Sequence, residues 1–271
     1  MRTIFAVLAA LCLAAPAHAG SAIARYDIYV GGIKAFELEA GLSLSEGGYT
    51  MQIAGRTQGM AEWLIGFRSR VRAQGEATPA GIRPQRYVND ALFRGKPRAI
   101  TLDFPPGQPM VVSVVPPPEQ DDRDPVTPAQ RATAVDPLTA MVSALKHVET
   151  RGNCQQDIPV FDGRRRFDAV FQQGSISTLG ATRLGIFAGE ATHCILVMRQ
   201  IAGYTRRAHD FNRAEDREQP IDIWLAPVAS GLPAIPVRVE VVLTLGSIVA
   251  HLTKVDTVAA LPPLPTAPLT R

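Results

Sequence analysis

The sequence has neither a strong excess of charge nor a second long hydrophobic run. Its 28 basic and 25 acidic residues give a formal net charge of +3, and such a balance does not indicate a nucleic-acid partner. Beyond the amino-terminal segment, no stretch is apolar enough to cross a membrane. These two absences argue against a nucleic-acid-binding protein and against an integral membrane protein with spanning helices.

The sequence also lacks the short motifs that mark common classes of enzyme. It contains no G-x-S-x-G, G-x-x-x-x-G-K, G-x-G-x-x-G or H-E-x-x-H, so the usual hydrolase, nucleotide-binding and zinc-protease signals are missing. Glycan-cleaving enzymes need only two carboxylates at a suitable separation, and Asp162 with Asp168 is one such candidate pair. Asp162 is better explained as the turn residue before Gly163. We therefore predict no catalytic residues, no metal and no cofactor.

The one long hydrophobic run lies at the amino terminus and has the features of a secretory signal peptide. Arg2 precedes the apolar run 4–13, and Ala17-His18-Ala19 forms an A-x-A cleavage pattern. The run is shorter than the roughly 20 apolar residues that a transmembrane helix needs. We predict that residues 1–19 are removed after export.

Few cysteines are present, and their number matters once export is assumed. Of three cysteines, Cys12 leaves with the signal peptide, so Cys154 and Cys194 remain as an even pair in an oxidising compartment. This predicts a disulfide between them. The alternative is a metal site with His147 and His193, but it lacks the C-x-x-C or H-x-x-x-H spacing of such sites.

Glycine and proline are abundant, with 22 residues each, as expected for many short strands joined by turns. Period-two alternation then predicts a β-rich fold. Arg68, Arg70 and Arg72 share one face of a strand, which we interpret as a solvated outer face rather than a site for an anionic lipid head group. The predicted strands are 22–30, 33–44, 49–57, 67–77, 82–92, 99–104, 110–115, 158–161, 167–170, 183–186, 192–201, 221–227, 237–245 and 247–255.

One amphipathic helix interrupts these strands. Asp136 is a suitable N-cap and Pro137 suits the first helical position. The next apolar residues follow the i, i+3, i+4, i+7 spacing of one helical face, so we expect this face to pack against the sheet. They are Leu138, Met141, Val142 and Leu145. Residues 59–66 predict one or two further helical turns, with Trp63 and Leu64 at an open end of the sheet.

The chain is predicted to form a single β-rich domain over residues 20–260. Within it, residues 116–128 are rich in proline and acidic residues and predict an exposed linker. Residues 261–271 contain several prolines and predict a flexible tail.

Six short segments occur in a distinctive order along the chain. They are Tyr26-Asp27-Ile28-Tyr29-Val30-Gly31-Gly32, Thr57-Gln58-Gly59-Met60, Pro84-Gln85-Arg86-Tyr87, Asp136-Pro137-Leu138-Thr139, Val160-Phe161-Asp162-Gly163-Arg164-Arg165 and Ile223-Trp224-Leu225. This order resembles the DUF3108 family of exported proteins of unknown function. The chain is also similar to envelope proteins described as β-spirals, whose sheet is similar to that of carriers for outer-membrane lipoproteins. The resemblance implies a bent antiparallel sheet around a helix, in the periplasm of a Gram-negative bacterium, and it brings no catalytic residues.

We therefore predict a mainly β fold, a curved antiparallel meander that forms an open barrel or β-spiral around one α-helix. Its expected function is non-catalytic binding or carriage of an amphiphile, such as a lipid or lipoprotein, in a cavity between sheet and helix. Two alternatives remain: an enzyme acting on envelope glycan, and a scaffold for protein interactions. The predicted ligand-binding residues are Trp63, Leu64 and Phe67 near the cavity mouth and Leu138, Met141, Val142 and Leu145 along one side.

Overall fold

A computed structural model of the chain describes residues 20–117, 123–204, 218–228, 230–244, 246–264 and 269. Within these residues the fold consists of thirteen strands and three helices. The helices are α1 Gly59–Leu64, α2 Pro128–Arg131 and α3 Pro137–Arg151. The strands are β1 Gly20–Val30, β2 Ile33–Ser45, β3 Gly47–Thr57, β4 Phe67–Thr78, β5 Gly81–Phe93, β6 Lys96–Asp103, β7 Val111–Val115, β8 Gln156–Phe161, β9 Arg166–Leu179, β10 Gly189–Ala202, β11 Ile221–Ala226, β12 Ile235–Leu243 and β13 Gly246–Thr257.

All thirteen strands belong to one antiparallel sheet. Its order is β7-β6-β5-β4-β3-β2-β1-β13-β12-β11-β10-β9-β8, so every pairing except β1 with β13 joins neighbours in the sequence. Strands β7 and β8 are the two edges, and no ladder joins them among the described residues. The predicted fold class, a curved antiparallel meander that stays open, is confirmed.

The sheet curves until its two edges approach each other. Gly163, in the β8–β9 turn, has a φ of +96°, and a Cβ there would lie 2.4 Å from a methyl group of Ile100 on β6. Only glycine fits this contact, because it tolerates positive φ and has no side chain. Val135 also covers the β8 edge, since it forms backbone hydrogen bonds of 2.9 Å with Pro159 and Phe161. Short contacts therefore hold the open barrel together where hydrogen-bonded strands do not.

Helix α3 runs inside this curve. The Asp136 carboxylate accepts hydrogen bonds from the backbone N–H groups of Leu138 and Thr139 at 3.0 and 2.9 Å, which caps the helix start. The helix ends at Gly152, whose φ of +70° and hydrogen bond to the Val148 carbonyl complete a left-handed C-cap. The helix contacts β3, β4 and β5 on one side of the curve and β8 on the other.

The face of the sheet toward α3, called here the inner face, is apolar, and the opposite outer face carries ion pairs. Val71 and Ala73 of β4 pack into the core with α3. Because side chains alternate along a strand, Arg68, Arg70 and Arg72 lie on the outer face, as predicted. Ion pairs on this outer face include Arg25–Glu39, Lys34–Asp27 and Arg56–Glu37.

The predicted strand at 183–186 is wrong. The Thr182 side chain accepts hydrogen bonds from the backbone N–H groups of Leu184 and Gly185, both at 3.2 Å. These bonds form a hydroxyl-stabilised turn that competes with an extended conformation.

The first residues of the predicted tail contact the outer face. The Gln52 side chain donates to the Pro262 carbonyl at 3.1 Å, and Leu261 lies over Gly41. Residues 265–268, 270 and 271 lie outside the described part of the chain, as do residues 1–19 and, within the predicted linker, residues 118–122. In the part that is described, no helix has the length and hydrophobicity needed to span a membrane.

Candidate functional site

Two apolar cavities flank helix α3. The first, the β1–β3 cavity, has a volume of about 270 Å³ and is lined by inner-face residues that include Tyr26, Ile28, Leu38, Ala40, Met51 and Ile53. The second, the β8–β11 cavity, has a volume of about 330 Å³ and is lined by residues that include Val160, Phe167, Phe171, Leu196, Met198 and Ile223. The helix therefore does not fill the space inside the sheet.

The two cavities adjoin each other. Met141 and Leu145 of α3 line both, and so do Pro236 and Val239 of β12. Together the cavities fall within the range of about 300–1,000 Å³ that is typical of ligand pockets. A ligand with a flexible apolar part can occupy one cavity and extend past Met141 into the other.

Polar groups are scarce in both cavity walls. Tyr26 provides the one polar side chain among the residues that line the β1–β3 cavity. Its hydroxyl donates to the Pro236 carbonyl at 2.9 Å, and burial raises the pKa of Tyr26 well above its ordinary value. The Tyr26 hydroxyl is thus already satisfied and uncharged. Such walls favour hydrocarbon over a polar or charged ligand.

A third cavity, called here the arginine cavity, lies at the amino end of α3. It has a volume of about 410 Å³, and Pro137 lines both this cavity and the β8–β11 cavity. Four arginines and one aspartate, Asp162, contribute to its wall, so its formal charge is positive. The arginines are Arg98, Arg123, Arg164 and Arg165.

Specific contacts orient three of these arginines. Arg165 pairs with Asp162 at 2.8 Å. Arg164 donates to the Pro116 carbonyl at 2.6 Å, and Arg123 donates to the Gly203 carbonyl at 3.0 Å. Arginine in fixed orientation suits carboxylate and phosphate groups. The arginine cavity can therefore accommodate an anionic group beside an apolar cavity.

A buried polar chain secures the start of α3. Tyr49 hydrogen-bonds Thr139 at 2.5 Å, and Thr139 in turn donates to the carboxylate of Asp136. Asp136 is completely buried. Burial raises the pKa of Asp136 to about 6, although the hydrogen bonds from Thr139 and Leu138 favour its charged form. This chain fixes the helix that separates the apolar cavities.

Comparison with protein families gives one decisive match. The family model DUF3108, a protein of unknown function, matches residues 25–253. The chain belongs to the DUF3108 family. The predicted resemblance is therefore confirmed over most of the sequence, and it assigns no activity.

Solved structures offer similarities of fold to this DUF3108 chain. A β-barrel-like protein of DUF1849 from Brucella abortus has a TM-score of 0.48 and 12% identity, and the match covers 89% of this chain and 99% of that one. The hypothetical protein CT021 from Chlamydia trachomatis has a TM-score of 0.33 and 8% identity, with 92% and 93% covered. Among curated proteins, none matches the chain.

The predicted ligand-binding residues of α3 divide between two environments. Met141 and Leu145 line both apolar cavities. Leu138 and Val142, only 4% and 2% exposed, line neither apolar cavity and pack into a core cluster to which Leu145 also belongs. The structure thus brings half of this predicted set to the cavities.

The three residues predicted at the cavity mouth lie elsewhere. Trp63 and Leu64 project from α1 and are 84% and 56% exposed, and neither lines an apolar cavity. Phe67 lines the arginine cavity. Sequence reasoning missed the walls formed by Tyr26, Ile28 and the arginines, although period-two alternation in β1 would have placed Tyr26 and Ile28 on the inner face.

The structure confirms the predicted Cys154–Cys194 disulfide, with the two Cα atoms 5.7 Å apart. Both half-cystines line the β8–β11 cavity. The bond uses both sulfur atoms of the alternative metal site. His193, which that alternative also needed, hydrogen-bonds Asp222 at 2.6 Å and stacks on Trp224.

The two aspartates considered as a catalytic pair have structural partners. Asp162 accepts hydrogen bonds from the backbone N–H groups of Arg164 and Arg165 at 2.9 and 2.6 Å, as a turn residue does. Asp168 pairs with Arg166 at 2.7 Å. No cluster of metal-binding side chains occurs among the residues that the structure describes.

Proposed function

We propose that this DUF3108 chain is a non-catalytic protein of the bacterial envelope that binds an amphiphile between its curved sheet and α3. The single observation that carries the proposal is the pair of adjoining apolar cavities. Their walls are almost wholly hydrocarbon, and their combined volume suits a drug-sized or larger apolar group. A helix that only completed a core would leave little such space, because protein interiors are close-packed.

The ligand proposed is an acyl chain with a polar head, as in a lipid or a lipoprotein anchor. The chain would occupy the β1–β3 and β8–β11 cavities past Met141. An anionic head would lie in the arginine cavity, which adjoins the β8–β11 cavity at Pro137. This arrangement keeps charge and hydrocarbon in separate compartments, as an amphiphile requires.

The periplasm of a Gram-negative bacterium is the proposed location. The signal-peptide pattern in residues 1–19 supports export, and the disulfide is of the kind that persists in oxidising compartments. Residues 20–260 are proposed to act as one domain, with 116–128 as a linker within it and 261–271 as a carboxy-terminal tail.

The proposal is tested by mass spectrometry of the chain purified under native conditions from its own periplasm. Wild type should carry an extractable lipid. Met141→Trp enlarges the side chain that both cavities share, so it should reduce retained lipid by tenfold or more. Ile176→Trp is the control, because Ile176 is 73% exposed on β9 and lines neither apolar cavity.

Two results would contradict the binding proposal. One is wild-type protein, purified from the periplasm, from which no lipid can be extracted. The other is equal lipid retention in Met141→Trp and Ile176→Trp. Ala40→Leu narrows the β1–β3 cavity alone, and it replaces Met141→Trp as the test variant if the tryptophan lowers the yield of folded protein.

A further inference from the structure

Large apolar side chains are exposed together at one end of the sheet. This is the end where β1, β3, β5 and β12 finish and where α1 lies. Isolated exposed apolar residues are ordinary, whereas a contiguous group marks an interaction surface. We call this group the α1 rim, and it consists of Val30, Ile33, Met60, Trp63 and Leu64, which are 41%, 64%, 70%, 84% and 56% exposed.

Backbone hydrogen bonds connect the segments that carry the rim. The Gly31 N–H donates to the Ser247 carbonyl at 2.9 Å, which joins the β1–β2 and β12–β13 turns. The Gln58 N–H donates to the Ala35 carbonyl at 2.8 Å, which fixes the start of α1 against β2. The β1–β2 turn and α1, which carry the rim, are therefore held on a fixed frame rather than on independent loops.

Basic residues stand beside the rim in the β5–β6 turn. A hydrogen bond of 3.2 Å from the Arg94 N–H to the Gly66 carbonyl joins this turn to the end of α1. Arg94, Lys96 and Arg98 are all exposed. Among the described residues they have no carboxylate partner, and Arg94 and Arg98 lie over the Phe93 ring instead. The charges of Arg94 and Lys96 are thus available to an external anion, whereas Arg98 also lines the arginine cavity.

The cavities end close to this rim. Ile28 of the β1–β3 cavity lies two residues before Val30, and alternation places both side chains on the inner face of β1. Phe67 of the arginine cavity lies just beyond α1. A surface bound to the rim would therefore lie next to the walls of the β1–β3 cavity and of the arginine cavity.

We propose that the α1 rim docks on the surface of an anionic lipid bilayer. Trp63 and its apolar neighbours enter the interfacial region, where tryptophan is favoured, and the β5–β6 cations contact the lipid head groups. The pairing of exposed apolar side chains with unpaired cations favours this surface over a partner protein, because membrane interfaces present anionic charge directly above hydrocarbon. This inference goes beyond the proposed function, since docking needs no ligand in the cavities.

Sedimentation with vesicles tests the inference. The chain purified after export should sediment with vesicles of equimolar phosphatidylglycerol and phosphatidylcholine and remain in solution with phosphatidylcholine alone. Trp63→Asp should weaken the partition by tenfold or more. Ile176→Asp is the matched control, because Ile176 is 73% exposed toward the opposite end of the sheet, and it should bind as wild type does.

Reversal of the basic charges tests the electrostatic part. Replacing Arg94 and Lys96 together by glutamate, which leaves Arg98 of the arginine cavity intact, should weaken the partition by about 30-fold or more at low salt, given about 1 kcal/mol per cation at a membrane surface. A second readout is the emission of Trp63 in a Trp224→Phe background, which leaves Trp63 as the one tryptophan. Its emission should shift to shorter wavelength on vesicle addition.

Three outcomes would overturn the inference. The first is wild type that remains in solution with anionic vesicles, which would exclude docking. The second is Ile176→Asp that binds as weakly as Trp63→Asp, which would exclude the rim as the site. The third is a wild-type dimer that does not bind vesicles and that Trp63→Asp dissociates, which would assign the rim to a second copy of the chain. The cavity variant Met141→Trp should bind vesicles normally, so failure of docking is distinguishable from failure of ligand binding.

Discussion

The two faces of α3 differ in how completely the sheet covers them. Leu138 and Val142 are almost fully buried in a core cluster that includes residues of β3 to β6, and neither lines an apolar cavity. Met141, which directly precedes Val142 in the sequence, is 36% exposed and borders both apolar cavities. The first face stabilises the fold through close packing, and the second face borders the two apolar cavities. A single apolar helix can therefore be packed into the core on one side and form a cavity wall on the other.

Removal of the Cys154–Cys194 disulfide, which lies in the wall of the β8–β11 cavity, should have the largest effect on the free energy of unfolding. Closing a loop of 40 residues contributes about 4 kcal/mol in the loop-entropy model. Replacing Cys154 and Cys194 by alanine should lower the free energy of unfolding in urea by about this amount and loosen the β8–β11 cavity wall. Wild type reduced with dithiothreitol is the control and should lose a similar amount. A loss below about 1 kcal/mol would show that the bond contributes little.

Truncation of one residue from each face compares the faces directly. Leu138→Ala should cost about 3.5 kcal/mol, because it leaves a cavity in a close-packed region. Met141→Ala should cost less than about 1 kcal/mol, because its side chain already borders empty space. Both values can be measured by urea denaturation monitored by circular dichroism. Equal costs would mean that the cavity face is packed as tightly as the core face.

The buried Asp136 at the start of α3 should make the free energy of unfolding depend on pH. The pKa of Asp136 is about 6 in the folded chain and near 3.8 when unfolded, so the folded state binds the proton more tightly. The free energy of unfolding should therefore fall as pH rises from about 4 to about 6, by about 3 kcal/mol at most, and then level off.

Asp136→Asn should remove this slope while keeping the N-cap, because asparagine accepts the same backbone hydrogen bonds and does not titrate. Urea denaturation at a series of pH values measures it. Asp157→Asn is the matched control, since the Asp157 side chain is 64% exposed, and it should retain the slope. A slope that persists in Asp136→Asn would assign the pH dependence to another group.

Most of the fold could be predicted because its signals are local. Period-two alternation along β1 to β6 predicts the strands, and the Asp162-Gly163 dipeptide predicts a hairpin turn. The N-cap residue Asp136 predicts the start of α3. The strand predicted at 183–186 failed because the Thr182 hydroxyl forms a turn whose energy does not appear in apolar periodicity.

The candidate site was less accessible to sequence reasoning. Leu138, Met141, Val142 and Leu145 share one apolar stripe, and periodicity cannot distinguish a residue that meets a close-packed strand from one that meets a cavity. That distinction depends on how far the sheet curves between β5 and β8. Trp63 was placed at an open end of the sheet, but its 84% exposure depends on how α1 sits on β2. Both outcomes are properties of tertiary geometry.

In the described sheet, the pairing of β1 with β13 joins two strands that lie far apart in the sequence. Ala22 pairs with Thr257 across this junction, whereas every other ladder joins strands that follow each other in the sequence. Two meanders can therefore assemble from short-range contacts, and the junction between them must wait until chain segments more than 200 residues apart have met. The two apolar cavities depend on this junction to different degrees. The wall of the β1–β3 cavity includes residues of β1 and β13, so it is complete only once these strands have paired, whereas every residue that lines the β8–β11 cavity lies between Pro137 and Val239.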